Sequence, residues 1–185
     1  MNVAAVQLQC SADTSDNFAR ATAAVQSAAH EGAGLVVLPE LFASLGRTSA
    51  MRDAAEPLDG QTLAWTQQTA VQNHCAIVAG SFVERDPNDA QRLYNTSIAV
   101  GSDGSLLGSY RKIHMFDVDV EGARSKESDT FRAGTTSTVV DIKISGASIR
   151  VGLTICYDLR FPELFHDETL QGADIIVVPA AFTAT

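Results

Sequence analysis

Hydrophobic positions along this chain change period several times, and each change marks an element. Residues 2–9 alternate enough to form a first strand, whereas 14–31 carry Phe18, Ala21, Val25 and Ala28 at helical spacing. Gly32 ends that helix. Residues 35–38 are a continuous apolar run stopped by Pro39, the pattern of a strand buried on both faces of a helix-covered sheet. A second helix is predicted over 61–74, then strands at 76–84, 93–100 and 105–111. Their joints, Asp86-Pro87-Asn88-Asp89 and Ser102-Asp103-Gly104, read as turns of antiparallel hairpins. Residues 113–134 show no clear period and exceed an ordinary connection, which makes them a candidate active-site loop. Strands at 138–144 and 148–155, turned by Ser145-Gly146, precede a polar turn and a helix over 161–171.

The end of the chain echoes its beginning. Glu31-Gly32-Ala33-Gly34-Leu35-Val36-Val37-Leu38-Pro39 matches Gln171-Gly172-Ala173-Asp174-Ile175-Ile176-Val177-Val178-Pro179 in kind, each a helix end, a glycine, a buried strand and a proline. Two similar helix–strand units predict two related halves of a mixed, layered fold. No sequence after residue 185 provides further strands beside the second unit, so the fold is expected to lack a C-terminal part.

Composition narrows the partners. With 185 residues and 45% hydrophobic content the chain can bury a substantial core as one domain. A net charge of -9 argues against a phosphate backbone or an anionic membrane surface, so no nucleic-acid partner is expected. No apolar run approaches a membrane span and residues 1–9 lack the basic start of an export signal. Cys10, Cys75 and Cys156 share no metal-ligand spacing, and an odd count cannot pair completely within one chain. Reduced thiols, and hence the cytoplasm, are expected. No zinc spacing and no glycine-rich phosphate loop occur, so neither metal nor organic cofactor is predicted.

Three residues carry candidate chemistry. Cys156 closes a strand that alternates Ile149, Val151, Leu153 and Ile155 with Arg150, Gly152 and Thr154, and it precedes a polar turn into a helix. A thiol on such a turn lies near free backbone N–H groups, a setting suited to a nucleophile, though an inert core cysteine fits this strand equally well. Glu40 follows Pro39 at the carboxyl edge of a buried strand, where a carboxylate held partly out of water becomes a useful base. Lys112 ends a strand and opens the aperiodic stretch. Taken singly, Glu40 reads as a solvated loop charge and Lys112 as edge-strand decoration. Taken together they supply the nucleophile, proton acceptor and oxyanion stabiliser of cysteine-based acyl transfer. His30 and His74 close predicted helices, and His114 or His166 would serve only a papain-like arrangement that lacks its local signature.

Leu35-Val36-Val37-Leu38-Pro39-Glu40, Tyr110-Arg111-Lys112-Ile113-His114 and Thr154-Ile155-Cys156-Tyr157-Asp158-Leu159-Arg160-Phe161-Pro162-Glu163 resemble, in order, the three signature segments of the nitrilase superfamily of carbon–nitrogen hydrolases. Tyr94-Asn95-Thr96 and Pro179-Ala180-Ala181-Phe182 extend the similarity. The resemblance implies an α/β fold, an α-β-β-α sandwich, here a single domain over 1–185 without its C-terminal part. It also implies Glu40 as general base, Lys112 as oxyanion stabiliser and Cys156 as the nucleophile that becomes a thioester. Glu127 is the implied second glutamate, with Glu121 its nearest competitor, and Asn95, Tyr157 and Arg160 are supporting residues. The run after the cysteine is most similar to the omega-amidase and deaminated-glutathione amidase branch. That implies a small carboxylate-bearing amide as substrate, water as co-substrate, ammonia as product and a homo-oligomer with its interface at the helix over 161–171. Arg124 or Arg160 could meet the substrate carboxylate, although Arg160 is expected to pair with Asp158 or Glu163. The competing expectations are an inactive binding or assembly subunit, and N-carbamoyl or nitrile hydrolysis on the same three residues.

Overall fold

The computed structural model describes residues 1–89, 91–120 and 123–181, the side chains of residues 120 and 123–125 excepted. The first unit is a strand–helix–strand: β1 (Asn2–Ala5), α1 (Thr14–His30) and β2 (Ala33–Val37), with β2 parallel to β1. Asp13 starts α1 by accepting the Asp16 N–H at 3.1 Å, a cap worth about 1 kcal/mol. Two helices follow, α2 (Thr48–Asp53) and α3 (Gln61–Asn73). The sheet then grows through β3 (Ala76–Val78), β4 (Phe82–Arg85), β5 (Leu93–Val100) and β6 (Leu106–Arg111). β7 (Asp117–Val120) and β8 (Ala123–Lys126) form a separate hairpin. A second sheet consists of β9 (Val139–Ile144), β10 (Ala147–Leu153) and, after α4 (Pro162–Leu170), β11 (Ile175–Val177).

The continuous apolar run of β2 is explained by its two buried faces. Val36 and Leu38 pack with Phe18, Val25 and Ile77 beneath α1 and α3, where Phe18 stacks on Trp65 at 5.1 Å. Leu35 turns the other way and joins Val78, Ile142, Val151, Leu153 and Ile155 between the two sheets. Helices, large sheet, small sheet and α4 therefore lie in the four layers of an α-β-β-α sandwich. The echo is structural too: β11 runs parallel to β10 as β2 does to β1, and Gly32 and Gly172 both end their helices at φ +87°.

Two expectations need correction, and one element was not foreseen. The single strand expected over 76–84 is two strands, β3 and β4, lying along one edge of β5 and interrupted at Gly80. There φ is +36° and a Cβ would overlap the Pro39 carbonyl oxygen, so the backbone turns where it grips the end of β2. The stretch over 113–134 is not wholly irregular, because β7, β8 and a 3-10 turn at Glu127–Asp129 occupy much of it. Its alternation is too short and too polar to show a period. α2 was not predicted; its six residues bury no side chain and so leave no apolar stripe in the sequence.

Candidate active site

Two chain segments meet here, each following an apolar strand and a proline. Glu40 follows β2 and Pro39, and it is 5% exposed. Its turn is held by Ser81, whose Oγ accepts the Leu41 N–H at 2.9 Å and whose carbonyl accepts the Phe42 N–H at 3.1 Å. Leu41 itself has φ +50°, a conformation L-residues adopt only under local constraint. From the echoing end after β11, the Ala181 N–H donates to Glu40 Oε2 at 2.9 Å. Glu40 Oε1 accepts from Asn95 Nδ2 at 2.9 Å and from Lys112 Nζ at 3.1 Å. Both oxygens are thereby fixed.

Lys112 is 2% exposed, not an edge decoration. Its backbone is pinned on both sides, N–H to the Asn95 carbonyl at 2.9 Å and carbonyl to the Gly134 N–H at 2.8 Å. Its ammonium also reaches both oxygens of Glu127, at 3.0 and 2.9 Å. Glu127 stands on the 3-10 turn and accepts the Phe116 N–H at 2.6 Å. Burial pulls the Lys112 pKa down, but the charges of Glu40 and Glu127 outweigh it and hold the ammonium above its ordinary value. A buried cation between two carboxylates stays protonated, with its desolvation cost offset by close ion pairs.

Cys156 opens a short 3-10 helix (Cys156–Arg160) that follows β10 after Thr154 and Ile155, and its φ is +48°, again a left-handed value for a non-glycine residue. Its N–H donates to the Pro179 carbonyl at 2.8 Å, so the end of β11 holds the strained turn. The thiol is pushed up to about 12, first by burial and then by the nearby Glu40 charge; Lys112 opposes the rise only in part. At neutral pH the sulfur is a protonated thiol with a carboxylate beside it.

Tyr157 packs edge-on against Phe116 at 5.1 Å and Phe161 at 5.5 Å. Arg160 is exposed, and among the described residues it pairs with neither Asp158 nor Glu163, contrary to expectation. Asp158 is instead wholly buried and engaged by Tyr110 and His114. Glu121 and Phe182 lie outside the described residues, as does the side chain of Arg124. No group of three or more His, Cys, Asp or Glu side chains suited to a metal occurs among the described residues, and no helix there could cross a membrane.

The sequence profile described as carbon-nitrogen hydrolase matches residues 2–184. This chain belongs to the carbon-nitrogen hydrolase family. As a member of it, the chain is 40% identical over 184 residues to an omega-amidase of Mus musculus, covering 99% of this chain and 64% of that protein. It is 39% identical to the omega-amidase of Homo sapiens over the same shares. Among solved structures, Nit3 of Saccharomyces cerevisiae, a member of branch 10 of the nitrilase superfamily, aligns with TM-score 0.81 and 33% identity over 97% of this chain and 64% of its own. The C. elegans NitFhit protein aligns with TM-score 0.86 and 32% identity over 98% of this chain and 44% of its own. The chain thus spans a little under two thirds of the curated relatives it matches.

Sequence reasoning put Glu40, Asn95, Lys112 and Glu127 in one hydrolase site, and the structure brings them within hydrogen-bonding distance. It overlooked Ser81 and Gly80, which grip the Glu40 turn, and Asp158, which binds segments 44 residues apart. The acidic residue two places after the cysteine was the available signal for the last. Nothing local to Ser81 announced it.

Proposed function

We propose that this chain carries out cysteine-dependent hydrolysis of a small carboxylate-bearing amide, releasing ammonia through a thioester. The observation that carries this reading is the Glu40 carboxylate, oriented by Asn95, Lys112 and the Ala181 N–H, standing beside the buried Cys156 thiol, whose turn is anchored on the Pro179 carbonyl. Because the thiol is pushed so far up, proton loss accompanies attack: sulfur bonds to the amide carbon as Glu40 takes the S–H proton. The oxyanion forms against the Lys112 ammonium and the Tyr157 N–H, which as an early N–H of a one-turn helix has no partner within that helix. Protonated Glu40 then gives its proton to the amide nitrogen, the C–N bond breaks and ammonia leaves a Cys156 thioester. Glu40 next removes a proton from water as the water oxygen attacks the thioester carbon. Collapse returns the proton to sulfur and frees the acid. One proton cycles through one carboxylate, and no cofactor enters the balance. Glu127 keeps the ammonium paired while Glu40 changes charge.

The relatives named omega-amidases favour a short dicarboxylic acid monoamide as the substrate class. The three unpaired thiols favour a reducing compartment such as the cytoplasm. Exposed Leu159, just before α4, and Leu170, its last residue, 56% and 73% accessible, favour a homo-oligomer built on that helix. The test is ammonia release from succinamate and from deaminated glutathione, with Cys156→Ser as control. Release that disappears in the control supports the reading. A folded chain that hydrolyses nitriles or N-carbamoyl compounds but no amide, or nothing at all, refutes it.

A further inference from the structure

Two segments supply the cation and the nucleophile, and they come from different sheets. Lys112 follows β6 of the large sheet, while Cys156 follows β10 of the small one. Apolar packing sets the spacing of the two sheets, and directed hydrogen bonds add a fixed link between particular residues of each side. A wholly buried carboxylate, Asp158, joins the two segments. Its Oδ2 accepts the Tyr110 hydroxyl at 2.8 Å and the Ile155 N–H at 2.8 Å. Its Oδ1 accepts the His114 N–H at 3.1 Å and His114 Nδ1 at 2.7 Å, which assigns the proton to Nδ1. The Tyr110 hydroxyl in turn accepts the Ile113 N–H at 3.2 Å, closing a ring around Lys112. The His114 ring lies flat on Phe161 at 3.7 Å, on the far side of the nucleophile turn.

Resting on the proposed amide hydrolysis, we infer that Asp158 is a positioning residue: it sets the Lys112 ammonium against Cys156 by accepting from residues that flank both. Four donors converge on two oxygens, each filling two acceptor sites, so a carboxylate fits and an amide does not. In Asp158→Asn an NH2 group would face two of the donors, although shape and volume are kept. The segment that carries Lys112 would then lose its tie to the nucleophile turn through Tyr110 or through His114, while Asn95, Gly134, Glu40 and Glu127 remained in place.

The decisive experiment is a double-mutant cycle read by iodoacetamide alkylation of Cys156, alongside steady-state turnover of succinamate. Because Lys112 lowers the thiol pKa, displacing it makes the thiolate rarer, so Asp158→Asn is expected to slow alkylation at a fixed pH. In a Lys112→Ala background the same change is expected to have no further effect. Turnover should fall about a hundredfold in kcat with little change in KM, as for a misplaced group near the reacting atoms. Equal slowing in both backgrounds, or none in either, overturns the inference and leaves Asp158 a general brace. If Asp158→Asn does not fold, Tyr110→Phe takes its place in the cycle with a smaller expected effect, roughly tenfold, from one lost bond to a charged group. Alkylation needs no turnover. Absence of amide hydrolysis by the parent protein would therefore sink the functional reading while the cycle still decides the role of Asp158.

Discussion

Glu168 offers a quantitative test of how this fold handles a buried acid. It projects from α4 toward β10, fully buried, and neither carboxylate oxygen has a hydrogen-bond partner among the described residues. A Cβ at Gly152 would overlap its Oε2, so glycine there makes room for it. Burial first, then the charges of Asp158 and Asp167, push its pKa up to about 8 from 4.5. The nearby Leu153 N–H offsets little, being bonded to the Thr138 carbonyl at 3.0 Å. Glu168 is therefore protonated in the folded protein at neutral pH and ionised in the unfolded chain. Between about pH 4.5 and about 8 the native state holds a proton the unfolded state has released, so stability falls as pH rises. Each unit of pH costs about 1.4 kcal/mol, and the whole window is worth on the order of 5 kcal/mol, levelling off above about 8.

Glu168→Gln removes the titration while keeping the shape. Urea unfolding of both proteins at several pH values within that window gives two stability curves. Any constant cost of an unpaired amide shifts the variant's curve without tilting it. The difference between the curves is expected to grow in the variant's favour by about 1.4 kcal/mol per pH unit and then flatten. Titrating groups that do not interact with Glu168 are common to both proteins and cancel. Parallel curves would refute the reasoning, since they would mean that Glu168 ionises alike in the folded and unfolded states.

Three further outcomes follow from the site. Cys156 should alkylate slowly at neutral pH and ever faster as pH approaches about 12, and Glu40→Gln should speed alkylation at neutral pH while abolishing amide turnover, because Glu40 raises the thiol pKa yet carries its proton. Unchanged alkylation in that variant, followed by mass spectrometry, would contradict the contact. Gly80→Ala should cost at least about 2 kcal/mol in urea unfolding, since φ +36° and the Pro39 carbonyl leave no space for a methyl group. Asn95→Ala removes the donor shared by Glu40 and Glu127, 2.9 and 3.5 Å away, and should lower kcat roughly tenfold or more; kinetics at wild-type levels would exclude the orienting role.

Much of this protein was determined by sequence alone, and for a physical reason. Period and punctuation are local: the apolar run ending at Pro39, the helix spacing of Phe18, Ala21 and Val25, and the two glycine-capped echoes each act over a few residues. They located β2, α1, α3, β5, β6, β9 and β10 to within a few positions, and the three motif segments located Glu40, Lys112 and Cys156. Tertiary structure decided what depends on distant neighbours. It split the strand over 76–84 at Gly80, because the end of β2 approaches too closely for a side chain. It buried Lys112 between two carboxylates from positions 72 and 15 residues away. It gave Asp158 donors from β6 and from the segment after β10, and it left Glu168 without any among the described residues. Charge environment and hydrogen-bond partners are properties of assembled space, and no periodicity along the chain encodes them.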